Sequence, residues 1–543
     1  MGSLLLALLL TACSHPQRTA EPPAADTAAL VSQGRWGYAN PVLPGFHPDP
    51  SVCRVGDDFY LVTSTFQFFP GVPVYHSRDL THWTQVGHCL TRPSQLELRD
   101  AEAGGGIYAP TLRYHDGTYY MIVTNVTAGG NFFVTATDPA GPWSDPVFVH
   151  QDGIDPTLFW DDGHCYYVGN SYGGIVLFEI DERTGQKLSD EHMIWYGTGG
   201  RYPEGPHLYK KDGWYWLLIA EGGTEFSHKV TMARSRNLWG PYEGCPDNPL
   251  LTHLTRFGQS SSIQGLGHAD LTQAPDGSWW AVCLGFRWQT GTHHLLGRET
   301  FLVPVEWPRG QWPVFNRGDI LHTDMQCPTL PPCIPADGTI VVSGPDAAKA
   351  DITFHADTAD FGRGLADPRL NFICNPVEHN YSLTDRPGWL RLTAGDIDMD
   401  HSGSPTFIGL RQTAIDETFT LTLDASGLRP DGRAGLTVYM GSRYHYDLAV
   451  VNRGGRPCVQ VRYRLGRLSH IAVEQPLPAS MATLTVVATA DAYTFLADGR
   501  ELAAMDTHFL STETAGGFTG IYVGAFCDGT AGSHADIHRF TTH

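Results

Sequence analysis

The sequence predicts an all-β protein in which a five-bladed β-propeller is followed by a C-terminal β-sandwich. A short strand–turn–strand pattern recurs five times, in copies that open at positions 49, 109, 155, 204 and 268. The chain contains 60 Gly and 37 Pro, and this composition favours many strands and turns over long helices. After a Pro-rich segment at 324–350, the repeat gives way to short alternating strands. The change of pattern indicates two domains.

Each copy carries the signature of a β-hairpin. An opening such as Asp49-Pro-Ser-Val or Asp155-Pro-Thr-Leu is followed by an Asp-Gly-type turn and an aromatic, β-branched strand, as in HDGTYYMIVT, DDGHCYYVG and KDGWYWLLIA. Such a turn between two apolar runs predicts antiparallel pairing. The openings lie roughly 45–65 residues apart, which is the repeat length of propeller blades rather than of helical solenoids.

The openings are expected to meet at one axis, because a propeller brings the same strand of every blade to its centre. They carry Asp49, Asp155, Glu204 and His268, and only Ala109 lacks an ionisable side chain. One Asp-Pro is ordinary turn chemistry, but three carboxyls in register across separate blades indicate a reactive site. Cleavage of a glycosidic bond uses one carboxylic acid and one carboxylate, and a separation of about 6.5–9.5 Å, which admits a water, favours inversion.

The second domain has the strand spacing of an antiparallel β-sandwich. Its predicted strands include Phe419-Thr-Leu-Thr-Leu, Leu436-Thr-Val-Tyr-Met, Tyr446-Asp-Leu-Ala-Val-Val, Leu484-Thr-Val-Val-Ala and Ile521-Tyr-Val-Gly-Ala-Phe. Such modules bind carbohydrate in some proteins and serve as packing partners in others. We expect structural support here.

The charge and the cysteines exclude several classes of function. A net charge of −21 argues against nucleic acid as a partner, because phosphate binding needs a basic surface. The cysteines form no CxxC pair and no metal-finger spacing. We expect Cys53, Cys165 and Cys283 to be buried free thiols. Cys327 and Cys333, in the Pro-rich segment, form a disulfide only if the compartment is oxidising.

The N-terminus resembles an export signal. Residues 3–10 are apolar but too few to span a bilayer, and Leu10-Thr-Ala-Cys13 is similar to a bacterial lipobox. We therefore expect a lipoprotein signal at 1–13 with a lipidated Cys13, and a flexible tether at 14–34. The propeller is expected at 35–323, the connector at 324–350 and the sandwich at 351–543. The predicted location is the bacterial cell envelope, periplasm or outer membrane, with membrane contact only through the lipid.

Several longer motifs extend these openings. They are Val42-Leu-Pro-Gly-Phe-His-Pro-Asp-Pro-Ser, Thr63-Ser-Thr-Phe-Gln-Phe-Phe-Pro-Gly-Val-Pro-Val-Tyr-His-Ser, Gly153-Ile-Asp-Pro-Thr-Leu, Glu204-Gly-Pro-His-Leu-Tyr-Lys, Gly267-His-Ala-Asp, Leu296-Gly-Arg-Glu-Thr and Ser404-Pro-Thr-Phe-Ile-Gly-Leu-Arg-Gln. In this order across 38–543, they resemble glycoside hydrolase family 43, and most closely its two-domain β-xylosidases and α-L-arabinofuranosidases. The resemblance implies that the sandwich is concanavalin-like.

The resemblance implies a role for each motif residue. Asp49 corresponds to the general base, Glu204 to the general acid, and Asp155 to the carboxyl that tunes the pKa of Glu204 and orients it. The implied substrate-binding residues are Phe66, Tyr108, Thr224, Arg298 and His268. Two alternatives stay open, since Arg298 is equally suited to pair with a blade carboxylate and Phe66 to pack in the core. His268 is also a hypothetical neighbour of a calcium ion, although no cofactor is expected to be required.

The implied activity is exo-acting, inverting release of terminal β-1,4-linked xylose from xylo-oligosaccharides. Tyr108 departs from the family's β-xylosidases, which usually carry Trp there, and it adds a hydroxyl to the pocket wall. Xylose and arabinofuranose are therefore both open as the bound sugar, with arabinoxylan side chains as the alternative substrate. A non-catalytic glycan-binding lipoprotein and a retaining fructan hydrolase are the more distant alternatives. The sequence makes no prediction of oligomeric state.

Overall fold

The computed structural model describes residues 37–171, 173–289, 291–326, 350–354 and 367–543. The predicted all-β fold is confirmed. In the described residues the α-helical structure is one turn, Thr512–Ala515, and four short 3₁₀ segments lie at Gly258–Ser260, Asn316–Gly318, Glu378–Asn380 and Thr507–Leu510. No described helix has the length and apolar character needed to cross a membrane. The predicted signal, tether and Cys13, and the pair Cys327 and Cys333, lie outside the described residues.

Five four-stranded antiparallel sheets form the propeller. Blade 1 contains Ser51–Val55, Asp58–Val62, Gly71–Ser77 and Thr84–Leu90. Blade 2 contains Thr111–His115, Thr118–Asn125, Gly130–Ala136 and Val147–Val149. Blade 3 contains Thr157–Asp161, His164–Ser171, Gly174–Ile180 and His192–Trp195. Blade 4 contains Glu204–Lys211, Trp214–Glu221, Lys229–Ser235 and Glu243–Gly244. Blade 5 contains Ile263–Gln273, Trp279–Arg287, Glu299–Glu306 and Val314–Phe315.

The first strand of each blade faces the axis, and these five strands contact one another in a closed ring. The turns that follow them behave as the Asp-Gly pattern predicts. Asp116, Asp162 and Asp212, each followed by Gly, adopt positive φ together with that Gly. Positive φ at both central residues is the type I′ geometry that matches the twist of paired strands. The repeat therefore fixes where each axial strand ends and turns outward.

A buried ion pair ties four blades together beneath the site. Arg113 donates to the Asp270 carboxylate at 2.8 Å, and the Tyr209 and Ser51 hydroxyls donate to it at 2.7 Å each. The side chain of Asp270 is fully buried, so these bonds offset its loss of hydration. The neighbouring charge of Arg113 helps to hold the pKa of Asp270 well below its usual range, although burial opposes the shift. Because Asp270 lies two residues after His268, the network also fixes the fifth opening.

The two ends of the propeller chain are joined. The strand Gly37–Ala39 pairs with Asp324–Gln326, with Tyr38 opposite Met325. Leu43 then forms a bridge to Thr300 in blade 5. These contacts place the segment before Asp49 against the last blade.

The second domain contains two antiparallel sheets. The larger has eight strands, Asp351–Thr353, Tyr381–Ser382, Leu390–Thr393, Glu417–Asp424, Met481–Ala488, Ala492–Ala497, Arg500–Asp506 and His534–Thr542. The smaller has six, Phe407–Arg411, Arg433–Gly441, Tyr444–Arg453, Arg456–Leu465, Leu468–Pro476 and Tyr522–Asp528. Burial alternates along Glu417–Asp424, as expected for a strand that packs one face on a core.

The two domains share a hydrophobic contact. Phe68–Phe69, between the second and third strands of blade 1, pairs with Phe372–Ile373. The Phe68 ring stacks on Tyr522 of the sandwich, with centroids 3.8 Å apart. One continuous buried cluster therefore runs from the propeller into the sandwich.

The predicted buried thiols are found for two of three cysteines. Cys165 and Cys283 are buried and free. Cys53 is also free but only partly buried, so that expectation was wrong. It lies in the axial strand of blade 1, along which exposure increases from the buried Ser51 to the exposed Arg54.

Candidate active site

The structure brings all eight predicted site residues to one cavity of about 790 Å³. The five repeat openings line it together, including Ala109. The eight residues are Asp49, Phe66, Tyr108, Asp155, Glu204, Thr224, His268 and Arg298. The convergence inferred from the repeat therefore holds for every opening, and the cavity lies where the axial strands begin.

The openings share an unusual backbone conformation. Asp49, Asp155 and His268 have φ of 54°, 56° and 48°, which is uncommon outside glycine. At the fourth opening Gly205, directly after Glu204, has φ 56°. A Cβ on Gly205 would lie 2.7 Å from Nε2 of His268, so that imidazole packs against the bare backbone. Strain repeated at equivalent positions is typical of a site whose geometry is maintained.

Asp49 is buried and held by two donors. The Ser64 hydroxyl donates to Oδ2 at 2.5 Å, and Nη1 of Arg298 donates to Oδ1 at 2.7 Å. The side chains of Asp49 and Arg298 are each only 6% exposed. Charge-assisted bonds of this kind fix the orientation of a carboxylate and complement its negative charge.

Glu204 lies in a different environment from Asp49. No hydrogen bond to its carboxyl is formed by the described residues. Burial raises the pKa of Glu204 to about 7, and the nearby Asp49 charge adds to the effect, while Arg298 opposes it. A carboxyl with a pKa near 7 can hold a proton at neutral pH and release it.

Asp155 is coupled to Glu204 through the backbone as well as by charge. It accepts a hydrogen bond from the Gly205 amide, the residue next to Glu204. Burial holds the pKa of Asp155 well above its usual range, and the Glu204 and Asp49 carboxyls raise it further. Two like groups in one buried site resist ionising together. At least one proton is therefore retained in this part of the site near neutral pH.

Arg298 packs against two aromatic rings. Its guanidinium carbon is 5.3 Å from the Phe66 ring centre and 5.7 Å from that of Phe518. Nη1 also donates to the Thr224 hydroxyl at 3.0 Å. Arg298 pairs with Asp49 and also lines the cavity, so its contact with substrate stays a prediction. Phe66 is buried in the core and also lines the cavity.

Tyr108 forms one wall of the cavity. Its ring centre is 5.1 Å from that of Phe66 and 6.4 Å from that of Phe518. Partial burial raises the pKa of Tyr108, and the Asp155 carboxylate adds to the shift. The hydroxyl therefore stays protonated at neutral pH and can donate a hydrogen bond.

The surroundings of His268 supply few protein ligands for a calcium ion. In the part of the chain that the structure describes, no group of three or more His, Cys, Asp or Glu side chains is arranged to hold a metal. Nδ1 lies 3.7 Å from Oδ1 of Asp49, a carboxylate that already accepts from Ser64 and Arg298. Calcium takes six to eight oxygen ligands, so an ion beside His268 would take most of its ligands from water, and it stays a prediction. Burial lowers the pKa of His268, which favours the neutral imidazole.

The second domain contributes residues to the cavity, which the sequence pattern does not predict. Gly516, Gly517, Phe518 and Thr519 of the sandwich line the cavity, and the Phe518 carbonyl accepts from Arg298 at 3.1 Å. The role expected for this domain, structural support, is therefore incomplete. A glycine pair before an aromatic ring is a weak local signal, and no periodicity in the sequence connects it to the propeller axis.

Hydrogen bonds connect this sandwich segment to the propeller. Glu513 accepts from the His294 backbone amide at 3.0 Å and lies 2.8 Å from His294 Nδ1. The His294 ring stacks on Phe286 at 4.2 Å. The segment therefore contacts the propeller both at Glu513 and at the Phe518 carbonyl, which accepts from Arg298.

Known proteins match both domains. Residues 38–313 match glycosyl hydrolases family 43, and residues 358–543 match the β-xylosidase C-terminal concanavalin A-like domain.

Three relatives cover almost the full chain. A protein of Bacteroides ovatus named a non-reducing end α-L-arabinofuranosidase is 39% identical, over 94% of this chain and 95% of its own. A Butyrivibrio fibrisolvens xylosidase/arabinosidase is 37% identical, over 92% and 98%. The solved structure of a xylan β-1,4-xylosidase from Bacillus halodurans has a TM-score of 0.82 and 33% identity, over 93% and 99%. The chain therefore belongs to glycosyl hydrolase family 43 and is a glycosidase.

Proposed function

We propose that the protein is an exo-acting, inverting glycosidase that releases terminal β-1,4-linked xylose from xylo-oligosaccharides. The observation that carries the proposal is the contrast between two carboxyls in one cavity. Asp49 is held by two donors that complement a negative charge, whereas burial raises the pKa of Glu204 to about 7. Carboxyls set apart in this way serve as base and acid.

Asp49 is the general base of the proposed reaction. It takes a proton from a water, whose oxygen attacks the anomeric carbon on the face opposite the leaving group. Arg298 and Ser64 hold the carboxylate toward the cavity. The water oxygen forms the new C–O bond, and the configuration at that carbon inverts.

Glu204 is the general acid. Its proton passes to the glycosidic oxygen as the bond from the anomeric carbon to that oxygen breaks, and the sugar leaves as an alcohol. Asp155 accepts a hydrogen bond from the Gly205 amide, and because the two carboxyls resist ionising together it favours the protonated form of Glu204. In this proposal both proton transfers use protein carboxyls, so no cofactor is required.

The shape of the cavity favours action at a chain end. Phe66, Arg298 and Phe518 form one wall of the cavity through mutual contacts. A chain that continued past the terminal sugar would meet this wall. Arg298, with Thr224, is suited to bind adjacent hydroxyls of that sugar through its planar fork.

Release of α-L-arabinofuranose is the second candidate. A relative of 39% identity bears that name, and Tyr108 stands where the family's β-xylosidases usually carry Trp. A panel of 4-nitrophenyl β-xyloside, α-L-arabinofuranoside and β-galactoside tests both proposals. The first proposal expects the highest kcat/KM on the β-xyloside. A preference for the arabinofuranoside would support the second candidate, and inactivity on all three would leave glycan binding.

We further propose that the protein is exported and lipid-anchored at Cys13. The support is the apolar run at 3–10 and its ending Leu10-Thr-Ala-Cys13. Labelled palmitate supplied to producing cells is expected to enter the wild-type protein and not the Cys13→Ser variant. Equal labelling of the two would contradict the anchor.

A further inference from the structure

Two aromatic rings at the cavity wall have no role in the reaction described above. Phe226 and Trp288 both line the cavity, and their ring centres are 5.8 Å apart at an interplanar angle of 12°. Phe226 is 36% exposed, and Trp288 is partly buried. Exposed apolar surface at the wall of a binding cavity commonly marks where a ligand binds.

The two rings belong to adjacent blades. Phe226 lies between the second and third strands of blade 4, and Trp288 directly follows the second strand of blade 5. The Trp288 amide donates to the Ser262 carbonyl at 2.8 Å, and the two rings pack against each other. The position of Trp288 is therefore set by the blade 5 backbone and by its contact with Phe226.

The blade that carries Phe226 also carries the proposed acid. The Thr224 hydroxyl accepts a hydrogen bond from Arg298, and Phe226 follows Thr224 by two residues. Glu204 begins the axial strand of that same blade. Because the acid must face the oxygen of the departing group, the departing sugar lies on the blade 4 side of the cavity.

Stacked aromatic faces suit a pyranose ring. The ring hydrogens of xylose form an apolar face, which gains by covering aromatic surface that would otherwise meet water. Polar groups stand beside the rings, since Arg201 and Glu225 form an ion pair and also line the cavity. An apolar platform with a polar border matches a sugar, whose hydroxyls point outward from its ring.

We propose that Phe226 and Trp288 form the platform on which the departing, second xylosyl unit stacks. This proposal rests on the proposed function and deepens it. The platform makes the enzyme prefer a glycan leaving group to a small alcohol with the same bond. It is a specificity determinant and takes no part in proton transfer.

The test compares xylobiose with methyl β-xyloside in wild type, Trp288→Ala and Phe226→Ala. The two substrates share the sugar that is cleaved, but only xylobiose has a ring to stack. The ratio of kcat/KM on xylobiose to that on methyl β-xyloside is expected to fall about tenfold in each variant, mostly through KM. Phe148→Ala is the matched control, since Phe148 is an exposed ring that packs against Phe132 at an interplanar angle of 50° and does not line the cavity. Its ratio is expected to equal that of wild type.

An unchanged ratio in folded Phe226→Ala and Trp288→Ala, checked by thermal melting, would overturn the platform while leaving the proposed function in place. If wild type cleaves only arabinofuranosides, the xylose proposal fails. In that case, the ratio of kcat/KM on an arabinofuranosyl-xylobiose to that on methyl α-arabinofuranoside is compared between wild type and the two variants. An unchanged ratio would overturn the platform. Wild type inactive on all four substrates would overturn both proposals.

Discussion

Glu204 and Asp49 show how the same functional group, a carboxyl, acquires two roles from its surroundings. Asp49 accepts from Ser64 and Arg298, whereas burial and the neighbouring Asp49 charge raise the pKa of Glu204 to about 7. The sequence supports their convergence but not this contrast, because the donors come from distant positions. Arg298 lies 249 residues from Asp49. Its pairing with Asp49 is visible only when blade 5 closes on blade 1.

Replacing Glu204 tests its role as an acid. Glu204→Gln is expected to lower kcat on xylobiose by about 10²–10⁴-fold, because the leaving sugar then departs without a proton. On 2,4-dinitrophenyl β-xyloside the loss is expected to be much smaller, since that leaving group needs no protonation. Steady-state kinetics on both substrates measure the difference. Equal losses on the two would remove Glu204 from the role.

The pH profile reports the same group. Activity needs the protonated form of Glu204, so kcat/KM is expected to fall as the pH rises through about 7. In Asp155→Asn this basic limb is expected to move to lower pH, because Asp155 and Glu204 resist ionising together and an amide at position 155 removes that coupling. Profiles on xylobiose, taken for both proteins, measure the shift. A limb at the same pH in both would show that Asp155 does not tune the acid.

At the scale of elements, the repeat openings and the sandwich segment differ in how far sequence reveals them. The openings recur with a hairpin signal, and their convergence follows from propeller geometry. The positive φ values at Asp49, Asp155 and His268 have no separate sequence signal. The segment from Thr512 to Thr519 belongs to another domain, and nothing in its composition indicates the cavity that it lines.

Phe518 tests the contribution of that segment. Phe518→Ala removes a ring that packs on Phe66 and contacts Arg298, so the guanidinium loses one of its two aromatic contacts. We expect kcat/KM on 4-nitrophenyl β-xyloside to fall about tenfold or more, a loss of about 1.4 kcal/mol. Phe509→Ala is the control, since Phe509 is exposed in the same domain and lies away from the cavity. Equal activity in the two variants would reduce the segment to a packing role.

At the scale of the whole molecule, the two domains form one functional unit. Their contact buries Phe68 against Tyr522 and pairs Phe68–Phe69 with Phe372–Ile373. The change from the hairpin repeat to short alternating strands after the Pro-rich segment predicts two domains correctly, because strand period and turn chemistry are local properties. The domain interface is not predictable in this way, since it depends on which surfaces remain apolar after each domain has folded.

The stereochemistry of the reaction tests the central claim, that Asp49 activates a water opposite a leaving group protonated by Glu204. Proton NMR is recorded during the first minutes of xylobiose hydrolysis, before the anomers of free xylose equilibrate. The xylose released from the non-reducing end is expected to appear first as the α-anomer, the inverted product of a β-linkage. Initial accumulation of β-xylose would mean a covalent glycosyl-enzyme intermediate and would contradict the account.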